Sequence, residues 1–280
     1  MMKQFFTLLS KELIEHKVIF RIPLFLALFL VLNFILILYN SNDVSFNFKI
    51  NGWEQFDNIQ LSMGFGGVIG SINTLICGLV AVICFFAYMP KTLLKEKQEG
   101  SWNFWRSMPV SNVKTLGTKL VVGLIVIPAI SVVLLVFADF CFMIVAKLLL
   151  SDALLQSSSI NLHEMFMHIM SYINRMIVVS IGLLPIACIL LVLSQLTNHP
   201  LIILFAVTVM VKVLGYTINV LSGFSQFVSD WNNISVSALF DINPWQELAI
   251  FSSIELGSVL MITVGLFCYA VKLMSTELNN

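Results

Sequence analysis

Six runs of mostly apolar residues, each long enough to cross a bilayer, recur along this 280-residue chain and dictate what it can fold into. They are Ile22 to Tyr39, Gly67 to Met89, Leu120 to about Ala146, Met176 to Leu196, Leu201 to Leu221, and Leu248 to Val271. A hydrocarbon core about 30 Å thick has no water to satisfy backbone polar groups, so ~20 apolar residues in a row cross it as a helix. The expected fold is therefore all-α: a polytopic membrane protein with six transmembrane helices in a single domain spanning residues 1–280. Composition excludes a soluble globule, because 59% of residues are hydrophobic and 11% charged, against roughly 25% charged in soluble domains. Pro128 and Asp139 interrupt the third run, which predicts a kinked or protruding helix there.

An even number of spans puts both termini on one side. Eleven of the fifteen Lys and Arg residues lie on that side, and only Lys49, Lys147 and Arg175 lie opposite, with Lys212 inside a span. Positive charge is retained in the cytoplasm, so the N- and C-termini are expected to be cytoplasmic in an inner membrane. Residues 40–66, 147–175 and 222–247 are then external loops, with Trp53, Trp231 and Trp245 suited to the membrane interface. Residues 90–119 form the main cytoplasmic connection.

Ahead of the first run, residues 3–20 read as an amphipathic helix. At about 100° per residue, Phe5, Phe6, Leu9, Leu13, His16 and Phe20 share a face, while Lys3, Gln4, Thr7, Lys11, Glu15 and Lys17 point elsewhere. The reading is a helix lying in the interface and running into the membrane near Arg21 and Pro23. A cap packed on protein fits the same pattern. No small-residue cleavage site follows the first run at Leu38-Tyr39-Asn40-Ser41, so that span is expected to be retained.

Several activities find no support in the residues. Net charge is zero and no basic cluster occurs, so nucleic-acid binding has no electrostatic footprint. No G-x-x-x-x-G-K-[ST] loop is present to cradle a nucleotide phosphate. The five cysteines, Cys77, Cys84, Cys141, Cys188 and Cys268, all sit in apolar stretches and read as small buried hydrophobes. His163 and His168 are five positions apart, about 140° around a helix, and cannot share zinc as an i, i+4 pair does. His163, Met167 and Met170 follow i, i+4, i+7 and present soft ligands suited to copper, although an amphipathic interfacial helix explains the same residues. No catalytic, cofactor or metal residue is assigned, and the chain is read as a non-enzyme.

Gly66, Gly70, Thr74 and Gly78 recur every four residues and offer a small-residue face for close helix packing. Asp139, Lys212 and Glu255 are ionisable groups inside apolar runs, which are functional candidates by default. At 1.5 Å per residue, Lys212 lies about 17 Å into its span and Glu255 about 10 Å into the next from the opposite face, so the two are expected to meet or to share a wet cavity. A snorkelling Lys212 is the alternative.

The most informative stretch is Glu99-Gly100-Ser101-Trp102-Asn103-Phe104-Trp105-Arg106-Ser107-Met108-Pro109-Val110-Ser111. Two tryptophans, a phenylalanine and an arginine within five positions are interface chemistry. Ser111 is placed to cap the helix that follows. This loop, with Lys119 at the mouth of the next span, resembles ABC-2 type transporter permeases, in particular the small bacterial members whose loop reads F-W-[KR]-S-[LM]-P-V-S. The N-terminal interfacial helix, the six spans and Asn243-Pro244-Trp245 before the last span agree with that layout.

The resemblance implies a transport subunit without its own cofactor. Two permease copies, as a homodimer or a related heterodimer, would work with two separate ATP-binding subunits that carry Mg-ATP. Glu99, Gly100 and Ser101 would border the coupling segment and Pro109, Val110 and Ser111 would return it to the membrane, while the residue chemistry makes Trp102, Trp105 and Arg106 the contact surface. Phe- and Leu-rich spans suit a lipidic or amphipathic cargo. The rival expectation is a stand-alone ion-coupled carrier using Asp139, Lys212 and Glu255, and a membrane scaffold without transport is a third.

Overall fold

The computed structural model describes residues 2–39, 67–98, 100, 111–149, 160–241 and 243–276. Among them no strand occurs, and six helices are long and apolar enough to cross a membrane. The chain is an all-α, multi-pass membrane protein. In chain order the helices are α1 (Met2–Glu15), α2 (Val18–Tyr39), α3 (Val68–Tyr88), α4 (Lys91–Gln98), α5 (Asn112–Val121), a π-helical turn at Val122–Val126, α6 (Ile127–Leu149), α7 (Leu162–Leu196), α8 (Pro200–Thr217), α9 (Asn219–Phe240), α10 (Trp245–Ala249) and α11 (Ser253–Thr276).

The third crossing runs without interruption from Asn112 to Leu149, 38 residues. Its π-helical turn ends two residues before Pro128. Proline has no N–H to give to the carbonyl four residues earlier, and its ring crowds that carbonyl. A wider turn there relieves the conflict without ending the helix. The expected irregularity is thus a π-bulge.

Helix α7 begins at Leu162, well before the expected Met176, and spans 35 residues, about 52 Å at 1.5 Å per residue. Its start is set by Asn161, whose side chain accepts the Glu164 N–H at 2.8 Å. Because the hydrocarbon core is only about 30 Å thick, a good part of α7 projects beyond it. Arg175, expected in an external loop, is instead buried along α7 and donates to the Leu239 carbonyl at 2.8 Å.

Residues 222–247 are not the expected external loop. Most of the segment belongs to α9, which packs antiparallel to α7: Trp231 Nε1 donates to the Gly182 carbonyl at 3.1 Å, and Leu239 sits at Arg175. The polar serines and asparagines of this stretch hide its helical period, and Trp231, Ile234, Ala238 and Leu239 form the buried stripe. Trp231 is therefore a core anchor. Trp245 is exposed, and Trp53 lies outside the described residues.

Helix α11 starts at Ser253, five residues later than Leu248. Ser252 and Glu255 form a reciprocal cap, with Glu255 Oε2 accepting the Ser252 N–H at 2.8 Å and Ser252 Oγ accepting the Glu255 N–H at 3.3 Å. Glu255 is spent on this cap at an exposed helix start and makes no ion pair with the exposed Lys212. The expected Lys212–Glu255 meeting does not occur, because the later helix start moves Glu255 from mid-span to a terminus.

The core centres on α3, α6 and α7, whose largest buried side chains include Phe85, Tyr88, Leu135, Tyr172, Leu190 and Leu191. On α3, Gly70, Thr74 and Gly78 are all buried, and Gly66 lies outside the described residues. A Cβ on Gly78 would come 2.5 Å from Leu239 Cδ2, so α9 approaches α3 where a side chain is missing. Gly182 plays the same part between α7 and α9: an added Cβ would meet Ser235 Oγ at 2.8 Å and Ile234 Cγ2 at 3.1 Å. Gly182→Leu is therefore expected to lower stability by about 1–3 kcal/mol through overpacking. Gly257→Leu, at a position with nothing within 4 Å, should leave the thermal midpoint of the detergent-solubilised protein unchanged.

Candidate functional site

The segment 99–110 is flanked by α4 and α5, and its stems are held by an unusual amount of buried charge. Gly100, at φ 68°, makes the left-handed turn that leaves α4. Ser111 precedes α5 with extended backbone, and its carbonyl accepts the N–H of Lys114 at 2.9 Å and of Thr115 at 3.2 Å. Its hydroxyl makes no capping bond, so Ser111 starts the helix through its backbone and not, as expected, through its side chain. Glu99, Ser101, Trp102, Trp105, Arg106, Pro109 and Val110 lie outside the described residues.

Lys119, on α5, is 0% exposed. Its ammonium donates to Glu12 Oε1 of α1 at 2.6 Å, to Glu96 Oε1 of α4 at 3.2 Å and to the Thr92 carbonyl at 3.2 Å. An ammonium has three donors, and all three are used. Glu96 Oε1 also receives Lys11 of α1 at 2.9 Å, and Glu12 Oε2 accepts the Tyr88 hydroxyl at 3.1 Å. Glu12 and Glu96 thus face the Lys119 and Lys11 ammonium groups, and Glu15 Oε1 lies 3.8 Å from Lys11 at the partly exposed edge of the same cluster. The oxygens of Glu12, Glu15 and Glu96 lie within 4.8 Å of one another, a spacing that could hold a metal. Lys119 and Lys11 already provide the cations there.

Helix α4 is tied beyond this cluster. Lys95 Nζ donates to the Glu15 carbonyl at 3.0 Å, capping the end of α1, and Lys97 Nζ donates to the Gln195 carbonyl at 2.6 Å, capping the end of α7. Gln195 Nε2 continues to the Ala270 carbonyl of α11 at 3.3 Å. One eight-residue helix is therefore bonded to α1, α5 and α7, and through Gln195 to α11.

This changes the reading of α1. The expected helix over residues 3–20 is divided at His16-Lys17 between α1 and the start of α2, and its stripe is split: Phe6 and Phe20 are exposed, whereas Glu12, His16 and Ile19 form the buried edge against protein. Lys11, expected to point away, is engaged with Glu96. His16 packs edge-on against Tyr88 at 5.0 Å between ring centroids, and its Nε2 has no hydrogen-bond partner. Burial pushes the His16 imidazole down to about 4, with Lys119 adding to the effect and Glu12 opposing it. Burial also raises the Glu15 carboxyl, partly offset by Lys11. Glu12 falls at the edge of the apolar arc, about 40° around the helix from His16. An acid in that arc is the sequence signal that this face meets protein.

At the opposite end of the bundle, Asp139 of α6 is fully buried. Its Oδ2 meets His168 Nδ1 at 2.8 Å, its Oδ1 accepts from Asn73 Nδ2 at 3.2 Å, and His168 Nε2 meets Thr74 Oγ1 at 2.9 Å. Along the continuous α5–α6 helix, Lys119 and Asp139 are separated by about 30 Å at 1.5 Å per residue. The two polar clusters are one hydrocarbon thickness apart. Of the three charges expected inside spans, Asp139 alone is in the interior. His163, Met167 and Met170 are all exposed on the other side of α7 from the buried His168.

Between the clusters, a groove of about 820 Å³ opens laterally among the π-helical turn, α6, α7 and α11, lined by residues such as Leu124, Pro128, Met176, Ile181 and Phe267.

Removing the Lys119 ammonium leaves Glu12 and Glu96 buried without their shared partner, a loss of about 3–5 kcal/mol for Lys119→Met. Lys119→Met combined with Glu12→Gln should recover part of that in denaturation of the purified protein. Protonation of His16 is opposed in the folded state, so its contribution to stability is present above about pH 6.5 and is lost as pH falls towards 4. The difference between wild type and His16→Gln in thermal midpoint, followed from pH 7.5 to 4.5, should change in that window.

Comparison with protein-family models, with curated proteins and with solved structures returned no match.

Proposed function

We propose that this chain is the permease subunit of an ATP-driven exporter in a bacterial inner membrane. Two copies would work with two separate ATP-binding subunits that hold Mg-ATP, and segment 99–110 would be the coupling element. The observation that carries this reading is the bonding of α4 to α1, α5, α7 and, through Gln195, α11. A displacement imposed on a loop whose stem is bonded in this way moves several spans together, which is what an energy-transducing loop requires. The Trp102, Trp105 and Arg106 side chains supply the anchor chemistry for a partner. ATP-driven closure of the partner subunits would bias the bundle between two states by differential binding.

The apolar groove among α6, α7 and α11 supports a lipidic or amphipathic cargo, since it offers volume and almost no polar partner. The rival, an ion-coupled carrier built on Asp139, Lys212 and Glu255, has Asp139 alone in the interior, with Lys212 and Glu255 exposed.

Trp105→Ala is expected to weaken retention of the ATP-binding subunit by about 2 kcal/mol, near thirtyfold, while the chain stays folded in the membrane. Co-purification of the partner on the tagged permease reads this out. A folded variant that holds the subunit as tightly as wild type would make the aromatic loop a lipid-facing belt. The positive-charge asymmetry further predicts sidedness. In a cysteine-free background, a cysteine at position 49 should react with an impermeant maleimide on intact cells, and one at position 97 only after permeabilisation.

A further inference from the structure

Helices α8 and α9 form a hairpin on the outside of the bundle. Ile218 alone joins them, and Gly215 lies against Ser225 with no room for a Cβ, so the chain doubles back there. The second half of α9 is held on α7, where Trp231 Nε1 donates to the Gly182 carbonyl. Gly182 is about 21 Å along α7 from its end at Leu196, which places it inside a hydrocarbon core about 30 Å thick.

That bond sets the depth of several polar residues. Asp230, Asn233 and Gln226 lie within about 8 Å of Trp231 along α9. Ser225 is about 9 Å from Trp231, and Lys212 is one turn, about 4.5 Å, along α8 from the Gly215 that Ser225 touches. All four side chains are therefore at hydrocarbon depth, and all four are exposed. Among the described residues none of the four makes a hydrogen bond or an ion pair. Lipid offers such groups nothing to bond, and ionisable residues within spans face a partner or a wet cavity. A lysine can carry its ammonium towards water along its stem. Asp230, with a single methylene, cannot.

The two helices present these groups on one side. Counted at about 100° per residue from the Gly215–Ser225 contact, Lys212, Tyr216 and Val209 lie about 60–120° around α8. Asn233, Gln226 and Asp230 lie about 80–140° around α9 in the same sense. Because the chain reverses between the helices, equal sense means the same face of the hairpin.

The two sets also match in spacing and in charge. Val209, Lys212 and Tyr216 are spaced three then four residues, and Asn233, Asp230 and Gln226, taken backwards, are spaced the same way. Lys212 and Asp230 are the only charged residues from 200 to 240, and they are opposite in sign. A face that carries both halves of such a pair is complementary to a second copy of itself across a twofold axis, where residue i meets j and j meets i. Glu255, at the start of α11 beyond the Phe251 ring that packs on Trp231, is already engaged by Ser252.

We propose that two copies of this chain pair through this face of the α8–α9 hairpin, Lys212 of each meeting Asp230 of the other, with Tyr216 set against Gln226 and Val209 against Asn233. The pairing removes the exposed charges from lipid and leaves a polar seam between the copies. It rests on the two-copy arrangement of the proposed function but needs no ATP-binding subunit, so its failure leaves the Trp105 experiment to decide the coupling loop.

The test uses the full-length chain expressed without an ATP-binding subunit, with different affinity tags on two copies. Capture on one tag in mild detergent is followed by measurement of the other. Wild type should co-capture. Lys212→Asp alone and Asp230→Lys alone set like charges at both contacts and should lower co-capture at least tenfold. Lys212→Asp on one tagged copy with Asp230→Lys on the other should restore it, because each contact again joins opposite charges. A monomeric wild type, single variants that co-capture like wild type, or a mixed pair of folded chains no better than the singles overturns the proposal.

A second experiment keeps both charges and decides the matter if the variants misfold. In a chain whose five cysteines are replaced by alanine, Val209→Cys on one copy and Asn233→Cys on the other should form a disulfide between copies when membranes are treated with copper phenanthroline. Met210→Cys, exposed on the far side of α8, paired with Asn233→Cys should link at least tenfold less. Equal linking of the two pairs, or none in either, overturns the pairing.

Discussion

One buried ammonium organises an end of this protein. Lys119 has no access to water, and each of its three hydrogens is taken by a different acceptor, the Glu12 carboxylate on α1 and the Glu96 carboxylate and Thr92 carbonyl on α4. Desolvating an ammonium costs several kcal/mol, and that cost is offset only if the carboxylates hold their positions. The constraint therefore works outward. Glu12 fixes the rotation of α1, Glu96 fixes α4, and the Lys95 and Lys97 bonds then carry that placement to the ends of α1 and α7. Apolar packing in a membrane cannot do this, since lipid tails compete with side chains of equal apolarity.

The two ends differ in the kind of polarity they bury. Near α1, carboxylates and ammonium groups pair across α1, α4 and α5 in one network. At the other end the Asp139 carboxylate accepts from the Asn73 amide and meets the His168 imidazole, whose other nitrogen meets the Thr74 hydroxyl. The apolar groove lies between them, bounded by the helices that both clusters hold.

The fold class was legible because six apolar runs admit few alternatives, and several span ends were close for the same reason. What was not legible traces to particular residues. Helix α9 was hidden because its buried stripe is diluted by Ser222, Ser225, Asn232 and Asn233, which lower local hydropathy without breaking the helical period. The start of α11 was misplaced because Ser252 and Glu255 act as a cap, and a carboxylate inside an apolar run looks the same in sequence whether it caps or is buried. At the candidate site, Thr74 was read as a small packing residue and His168 as half of a failed zinc motif. Their convergence on Asp139 is tertiary, over sequence separations that no local spacing records. The loop residues Trp102, Trp105 and Arg106 remain legible as chemistry alone, because they lie outside the described residues.

Helix α7 connects the two clusters, from His168 near one end to Gln195 near the other, about 40 Å along its axis. It is not a uniform rod. Pro185 lies within it, so the Ile181 carbonyl loses its intrahelical donor and the turn above is softened. At that same turn the Gly182 carbonyl takes a bond from the Trp231 indole, which clamps the softened backbone from the side. Helix α7 therefore behaves as two stiff arms meeting at an elbow beside the groove, with α9 as the brace. An angular change at the elbow alters the width of the groove while leaving the fastenings at both tips intact.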